Sequence, residues 1–298
     1  MNKENIIKEL LDYEISAVHP KIIDWQGYAT TKNYLKKKIE RFVTKSLKAD
    51  HTSKLQVLDL QNQYVLLIRL DGTNANYSIE VYFSNFSIIE NLDYFFKQIK
   101  DTFPNKNIKK IYFSDSKELS LSQNKIHDYI YTYAGKISLI KHATIPNNYN
   151  NITLRNAEGL SFYPDYKKMY ADYYEDYPDL RMMIGEPEST ESIEYLLENG
   201  VIKLVFINDE LAGVIIGIEM IYNEMNGYFL CEKILSKKYR GKVFGIAMER
   251  KFIDLLEDSK NKLIFGTINV KNPASLKAST KIGRICVKTR YKVDCVVI

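Results

Sequence analysis

The chain has few of the residues that announce chemistry most directly. Its 298 residues include 3 cysteines, 4 histidines, 1 tryptophan, 7 prolines and 13 glycines. Cys231, Cys286 and Cys295 show no Cys-x-x-Cys spacing, and each lies in an apolar, strand-like segment. Buried free thiols of a cytosolic protein are therefore expected, not a disulfide framework. His19, His51, His127 and His142 are scattered along the chain, so no metal site is expected. No apolar run approaches the roughly 18 residues of a membrane span. The opening MNKENIIKELLDYE mixes acids and bases in an amphipathic helical pattern. It lacks the apolar centre and small-residue cleavage site of a signal peptide. A large excess of one charge is also missing. The net charge of +5 could favour an anionic ligand, but it is too small to indicate a nucleic acid, and neither nucleic acid nor membrane is expected as a partner.

What is present is a chain able to bury a core: 45% of its residues are hydrophobic and 27% charged. Its length suggests one large domain or two of ordinary size. Helical spacing is expected over about Lys3–Tyr13 and Thr30–Lys48, with a polar loop around Trp25 between them. Strand patterns follow at 55–60, 64–70 and 77–83, with the turn between the last two expected in DGTNAN (71–76), where Asp71-Gly72 has the hairpin chemistry. Then come a helix in IIENLDYFFKQIKDTF, a strand in IKKIYFSD, and a strand pair or long strand in HDYIYTYAGKISLI. The Asn- and Pro-rich PNNYNN at 146–151 is the expected domain boundary. Beyond it the pattern is a strand at 152–158, a tyrosine-rich helix from about Ser161, and a helix capped by Ser189 or Thr190 and closed by Gly200. A three-strand meander follows, then a helix to about Asp258, a strand in LIFGTINV, a helix after Asn272, and two closing strands near 285–289 and 291–297. This order predicts an α/β fold. Its sheet is mixed but mostly antiparallel and flanked by helices over 152–298, with a second α/β domain over 1–145.

Within the second part, ILSKKYRGKVFGIAMER (Ile234–Arg250) carries the strongest signal. A strand runs into a basic turn, Arg240-Gly241-Lys242-Val243-Phe244-Gly245, and then into a helix. The first amides of a helix lack internal partners, and the helix dipole favours an anion there. Gly241 and Gly245 permit close backbone approach, and Arg240 and Lys242 add charge. A solvated basic turn would share these features. Context separates the two. Leu235 stands five residues before Arg240, and GTINVKNPASLKASTKIGR downstream carries Asn272 after a strand and Gly283 after a helix. Together these residues resemble the two signatures of the GNAT family of N-acetyltransferases over about 152–298.

The resemblance implies an acetyl-CoA-dependent N-acetyltransferase. The diphosphate would rest on the amides of Arg240 to Gly245, and the pantetheine arm between the splayed ends of GYFLCEKIL and LIFGTINV. A backbone N–H near Leu235 would polarise the acyl carbonyl, and Asn272 would hold the cofactor through its amide. Two departures stand out. Val243 replaces a motif glycine, which is tolerable at a helical position whose side chain faces away. Ser279 occupies the place of the family's usual tyrosine acid, four residues before Gly283, and Arg284 replaces the usual aromatic residue after that glycine. The proton donor is then Ser279, water or another tyrosine, with Tyr291 a candidate. For the base, Glu232 on the motif strand is the first candidate, since desolvation beside a cleft raises a carboxyl pKa; Glu219 is the second.

The acceptor side falls on Ser161–Gly200, where ten acids face three bases and tyrosines recur. Acids with aromatic faces suit an ammonium ion. Tyr170, Tyr173, Tyr174 and Asp176 are the candidate contacts for a small cationic amine, although such tyrosines are as often core. The first half repeats the strand and helix order of the second, but SNFSIIEN stands where a phosphate turn would be; a degenerate GNAT-like domain or an unrelated small α/β domain both fit. It could border the acceptor cleft or form a homodimer surface. Two other functions stay open: transfer of a longer acyl or aminoacyl group by a tandem GNAT-like chain, and a non-catalytic module that retains coenzyme A.

Overall fold

The computed structural model describes residues 2–47, 55–60, 63–73, 76–115, 126–178, 181, 186–257 and 262–294. The chain divides into two compact units, Met1–Tyr131 with Val287–Ile298, and Thr132–Cys286. No helix among the described residues is long and apolar enough to cross a membrane.

The first unit opens with helices α1 (Lys3–Ala17), α2 (Pro20–Gln26) and α3 (Tyr28–Leu47). The Asn2 side chain accepts the Glu4 amide at 2.9 Å and caps α1. Ile6, Ile7, Leu10, Leu11 and Ile15 form its buried stripe and pack with Leu35, Ile39 and Val43 of α3. The segment around Trp25, expected as a loop, is helix α2. Pro20 presets its first turn and His19 Nδ1 accepts the Lys21 amide at 3.1 Å, a start signal that its polar composition hides. Strands β1 (Leu55–Leu60), β2 (Gln63–Thr73) and β3 (Asn76–Ser84) form an antiparallel meander. Asp71-Gly72 is not the turn: both residues pair within the hairpin, with Ser78 and Tyr77, and the turn itself lies outside the described residues. Helix α4 (Leu92–Thr102) then leads to β4 (Ile108–Asp115), which is parallel to β3.

The strand after α4 and β4 is β5 (Ile126–Lys136), followed by helix α5 (Ile137–His142). The second unit continues with β6 (Ile152–Asn156), α6 (Tyr163–Asp176), α7 (Thr190–Asn199), β7 (Gly200–Ile207), β8 (Glu210–Tyr222) and β9 (Met225–Leu235). Then come α8 (Phe244–Leu255), β10 (Leu263–Asn269) and α9 (Pro273–Lys281). Its strands run in the order β10-β9-β8-β7-β6, antiparallel except for the parallel pair β9/β10, and β5, whose residues 132–136 belong to this unit, lies beside β10. Two apolar layers cover it. Met248, Phe252 and Ile253 of α8 pack with Ile215 and Tyr228 on one face. Tyr166, Tyr170 and Tyr174 of α6 pack with Val214, Ile216 and Ile234 on the other.

Two boundaries differ from expectation. The loop at 146–151 does not divide the chain, because side chains stitch it to α8. Asn148 Nδ2 donates to the Lys242 carbonyl at 3.0 Å, the Tyr149 hydroxyl to Asp254 at 2.7 Å, and Arg250 to the carbonyls of Ala143 and Lys141. Ile137 and Ile140 join the core under α8. The chain also closes in one described strand, β11 (Ile285–Asp294), where two were expected. Its residues 289–294 pair antiparallel with β4, and Tyr291 and Val293 enter the first unit's core.

The two units share an order: an antiparallel three-strand meander, a helix, and a strand parallel to the last of the meander. In the first unit it is β1-β2-β3-α4-β4, in the second β7-β8-β9-α8-β10. The turn before α4 is packed shut. Phe86, Ser87, Ile88 and Ile89 are buried there, and Ser84 Oγ donates to the Phe86 carbonyl at 2.7 Å.

Tyr291 is 1% exposed and its ring stacks on Phe113 at 5.3 Å. It is a core residue of the first unit, whereas the turn Arg240–Gly245 belongs to the second. Tyr291→Ala should cost about 3–5 kcal/mol, the usual range for deleting a buried aromatic ring, read as a lower urea midpoint.

Candidate active site

The site is built around an irregularity in β9. Across the β8/β9 ladder, Glu232 faces Ile216 and Leu230 faces Gly217. Cys231 is therefore the extra residue of a β-bulge, and the alternation of faces shifts by one. Before the bulge, Tyr228 and Leu230 lie with the core under α8. After it, Cys231 and Ile234 lie with the core under α6 and α7. Glu232 follows Ile234 to the α6 face and Lys233 points to α8.

Pairing between β9 and β10 covers only Gly227–Phe229 against Leu263–Phe265. Both strands go on, to Leu235 and Asn269, with their facing edges unpaired to each other. The unpaired stretch begins at Leu230 and Gly266 and runs to the ends of both strands, beside the turn that follows β9.

That turn differs in detail from expectation. Gly241 has φ 74°. Val243 is not helical: at φ 67°, ψ −4° it is the left-handed residue just before α8, 45% exposed. A β-branched side chain there is strained by about 1–2 kcal/mol, which explains physically why the motif favours glycine. Among the described residues, the amides of 241–245 donate to no backbone acceptor, and no side chain caps α8. A Cβ added to Gly245 would meet only Leu235 Cδ1, at 4.0 Å. Packing does not require this glycine; it leaves the helix start open. Phe244 turns inward and meets the Tyr239 ring edge-on at 5.7 Å.

Arg240 is not a free charge. Nε donates to the Leu235 carbonyl at 2.8 Å, Nη2 to the Met169 carbonyl at 2.8 Å, and Nη1 to Asp176 at 3.0 Å. Its guanidinium lies 5.0 Å from the Tyr173 ring centre. It ties the turn to α6, and its own N–H donates to the Lys237 carbonyl at 3.3 Å, so the amides left for a ligand are those of 241–245 and not that of Arg240. The same contacts remove Asp176 and Tyr173 from the acceptor role: Asp176 pairs with both Arg240 and Lys237. Tyr170 and Tyr174 are 5% and 9% exposed, and their rings stand 5.6 Å apart. They are core, as helical i, i+4 spacing on a buried face allows.

Tyr170 nevertheless reaches the first candidate base, since its hydroxyl donates to Glu232. Burial pushes the Glu232 carboxyl up to about 7; the Tyr170 hydrogen bond opposes this and Glu188 adds to it. Tyr170 itself is driven well above the usual tyrosine range by burial and by Glu232, so it stays a donor. Glu219, the second candidate base, pairs with Lys262 at 2.9 Å, and hydrogen bonds from Lys262 and Tyr228 lower its pKa. It is a poor base.

On the opposite face Lys233 and Arg284 both bind the carboxylate of Glu249, Arg284 at 2.9 Å. Glu249 is fully buried. Burial alone would raise its pKa, but the two cations overcome this and hold it at about 2. Ser279 is buried too, with Arg284 Nη1 3.4 Å from its Oγ. It is enclosed, not a donor facing a cleft. Asn272 caps α9 through Oδ1, which accepts the Ser275 amide at 3.1 Å; its amide nitrogen is the end left for a ligand.

Sequence reasoning missed three features. One is the Lys233–Glu249–Arg284 cluster. Its signal was present, because Glu249 lies on the apolar stripe of α8 with Met248, Phe252 and Ile253. Another is the bulge, which GYFLCEKIL does not reveal. The third is a cavity of about 420 Å³ lined by Glu188, Glu191, Ser192, Tyr195, Leu196 and Cys231. Glu191 keeps a depressed pKa through backbone and Ser189 hydrogen bonds.

The raised carboxyl of Glu232 has a consequence for stability. A folded pKa near 7 against an ordinary 4.5 means the native state binds the extra proton between those values. Stability is therefore lost as pH rises through that window. Glu232→Gln should raise the thermal midpoint at pH 8 relative to the parent chain. The difference should vanish below about pH 4.5, as followed by thermal melts across pH.

No family model and no curated protein matches the chain. Among solved structures it is similar to a GCN5-related N-acetyltransferase from Sphaerobacter thermophilus (9% identity, 86% of this chain and 85% of that one, TM-score 0.44). Another is a GCN5-related N-acetyltransferase from Kribbella flavida (8%, 80% and 89%, 0.38). A third is an aminoglycoside acetyltransferase from an uncultured soil metagenomic sample, solved with sisomicin (10%, 46% and 90%, 0.33).

Proposed function

We propose that the second unit is an N-acyltransferase that takes acetyl-CoA as donor and a small cationic amine as acceptor. The observation that supports it most is the break in pairing between β9 and β10, which leads to a helix start with unpartnered amides. A diphosphate fits such a start, where outward N–H groups and the helix dipole favour an anion, and Gly245 leaves room for it. An extended amide-bearing arm fits the open edges of β9 and β10, which offer backbone donors and acceptors as another strand would. Asn272 adds a side-chain amide at the far strand's end. An acyl-CoA supplies an acyl group activated as a thioester.

The chain's own groups supply the rest. Backbone N–H groups on the β9 edge that ends at Leu235 would donate to the acyl oxygen, where charge develops during attack. Glu232, with its pKa near neutrality, removes the proton from the attacking nitrogen, and Tyr170 fixes the carboxyl's direction. The cavity by Cys231 opens on the same face as Glu232. Its carboxylates Glu188 and Glu191 and the Tyr195 ring suit a cation.

Gly245→Leu separates ligand from fold. The added side chain meets open space, and replacing a glycine inside a helix stabilises it by about 0.5–1 kcal/mol. Acetyl-CoA affinity measured by calorimetry should fall tenfold or more while the melting midpoint holds or rises. Unchanged affinity would count against the turn as the diphosphate site.

A further inference from the structure

The vertex of the β9/β10 gap is occupied by a charged side chain. Gly266 and Leu230 are the first residues past the last ladder pair. A Cβ built on Gly266 would lie 3.1 Å from Arg284 Nη2 and 3.1 Å from the Leu230 carbonyl oxygen. The guanidinium of Arg284 therefore stands where the two strands part. It is 2% exposed. Nη1 binds Glu249 and reaches toward Ser279, and Nη2 donates to the Tyr133 carbonyl at 3.1 Å. Nε has no partner among the described residues. Lys233, 13% exposed, binds the other oxygen of Glu249. Two cations share one carboxylate, so the cluster holds one positive charge in excess beside an unused donor. A cluster serving packing alone would be expected to balance, since an uncompensated buried charge is costly.

Its place relative to the bulge is informative. Glu232 stands on the α6 face of β9 and Lys233 on the α8 face. A proton acceptor and a cationic cluster thus flank one opening. Ser279 is too small to reach the gap, and Arg284 lies against it.

We propose that Arg284 and Lys233 form an anion site at the vertex that stabilises the sulfur of coenzyme A as its thiolate. This rests on the acyl-CoA function proposed above. With the diphosphate at Gly241–Gly245 and the arm along the open edges, the sulfur end lies toward Leu230 and Gly266. As the acceptor nitrogen bonds to the acyl carbon, the carbon–sulfur bond breaks and its electron pair stays on sulfur. The amine proton goes to Glu232. The sulfur leaves as an anion held by Arg284 and Lys233 and takes its proton from water after release. No side-chain acid is needed, which accounts for the serine at 279.

The test compares the binding of coenzyme A and desulfo-coenzyme A, which lacks the sulfur, to the full chain at pH 8. Calorimetry gives the affinities and ultraviolet thiolate absorbance the ionisation of the bound thiol. The parent chain should bind coenzyme A about tenfold or more tightly than the desulfo form, with thiolate absorbance on binding. Arg284→Met and Lys233→Met should each shrink that ratio toward one while leaving desulfo-coenzyme A affinity near the parent's. Arg284→Lys should keep part of it. Lys233→Met retains the Glu249–Arg284 pair, so it serves if Arg284→Met does not fold. Equal affinities for the two ligands in the parent chain would overturn the anion site and leave the acyl-CoA function standing. An unchanged ratio in folded variants would do the same. Binding of neither ligand would overturn both.

Discussion

One extra residue in β9 sets the side of the sheet on which every later residue of that strand stands. Because side chains alternate with a period of two, leaving Cys231 out of the ladder as a bulge puts Glu232 on the α6 face and Lys233 on the α8 face. Were Cys231 paired in regular alternation, Glu232 would stand with Glu249 under α8, where two carboxylates would compete for the same cations. With the bulge, Glu232 meets Tyr170 and Lys233 completes the buried cluster. A bulge bends its strand, and β9 and β10 part after Phe229, two residues before Cys231. The opening and the sorting of charge on its two sides thus share one local origin.

The charges around the opening are held by different physics. Glu232 is raised by desolvation and restrained by one tyrosine hydroxyl, so its proton is loosely committed near neutrality. Glu249 is more deeply buried, yet two cations hold it ionised. Depth of burial alone does not decide protonation; the partners do. Arg240 shows the same point for a cation. Three hydrogen bonds, one of them to the Asp176 carboxylate, make it a strut between the turn and α6, so the helix start must rely on backbone amides. In the first unit the equivalent turn is filled by Phe86, Ile88 and Ile89. The same order of strands and helix is therefore present twice, with an open helix start in only one copy.

Much of this was legible in the residues. The alternating run of β3, the continuous apolar run of β8, buried over 212–217, and the capped start of α7 follow directly from sequence. So does the turn before α8, whose glycines and strand-to-helix setting identify a donor-rich helix start. The alternation rule itself concealed the bulge, because YFLCEKIL is apolar on both sides and any register looks acceptable. The tyrosines of α6 misled for a related reason. An i, i+4 row of tyrosines serves a core and an aromatic wall equally, and only burial of Tyr170 and Tyr174 decides between them. Val243 was placed inside the helix, because no one-dimensional pattern reports a left-handed φ at a β-branched residue. The expected boundary at 146–151 failed since its Asn and Tyr side chains bind α8, a long-range contact that loop composition cannot show.

Acetyl-CoA bound to this chain should occupy the opening between β9 and β10. Hydrogen exchange of the full chain with and without saturating acetyl-CoA reads this amide by amide. Exchange should slow at 241–245 and along 230–235 and 266–269, while 85–91, the packed turn of the first unit, stays unchanged. Unaltered exchange along the two strand edges, or protection appearing at 85–91 instead, would contradict the site.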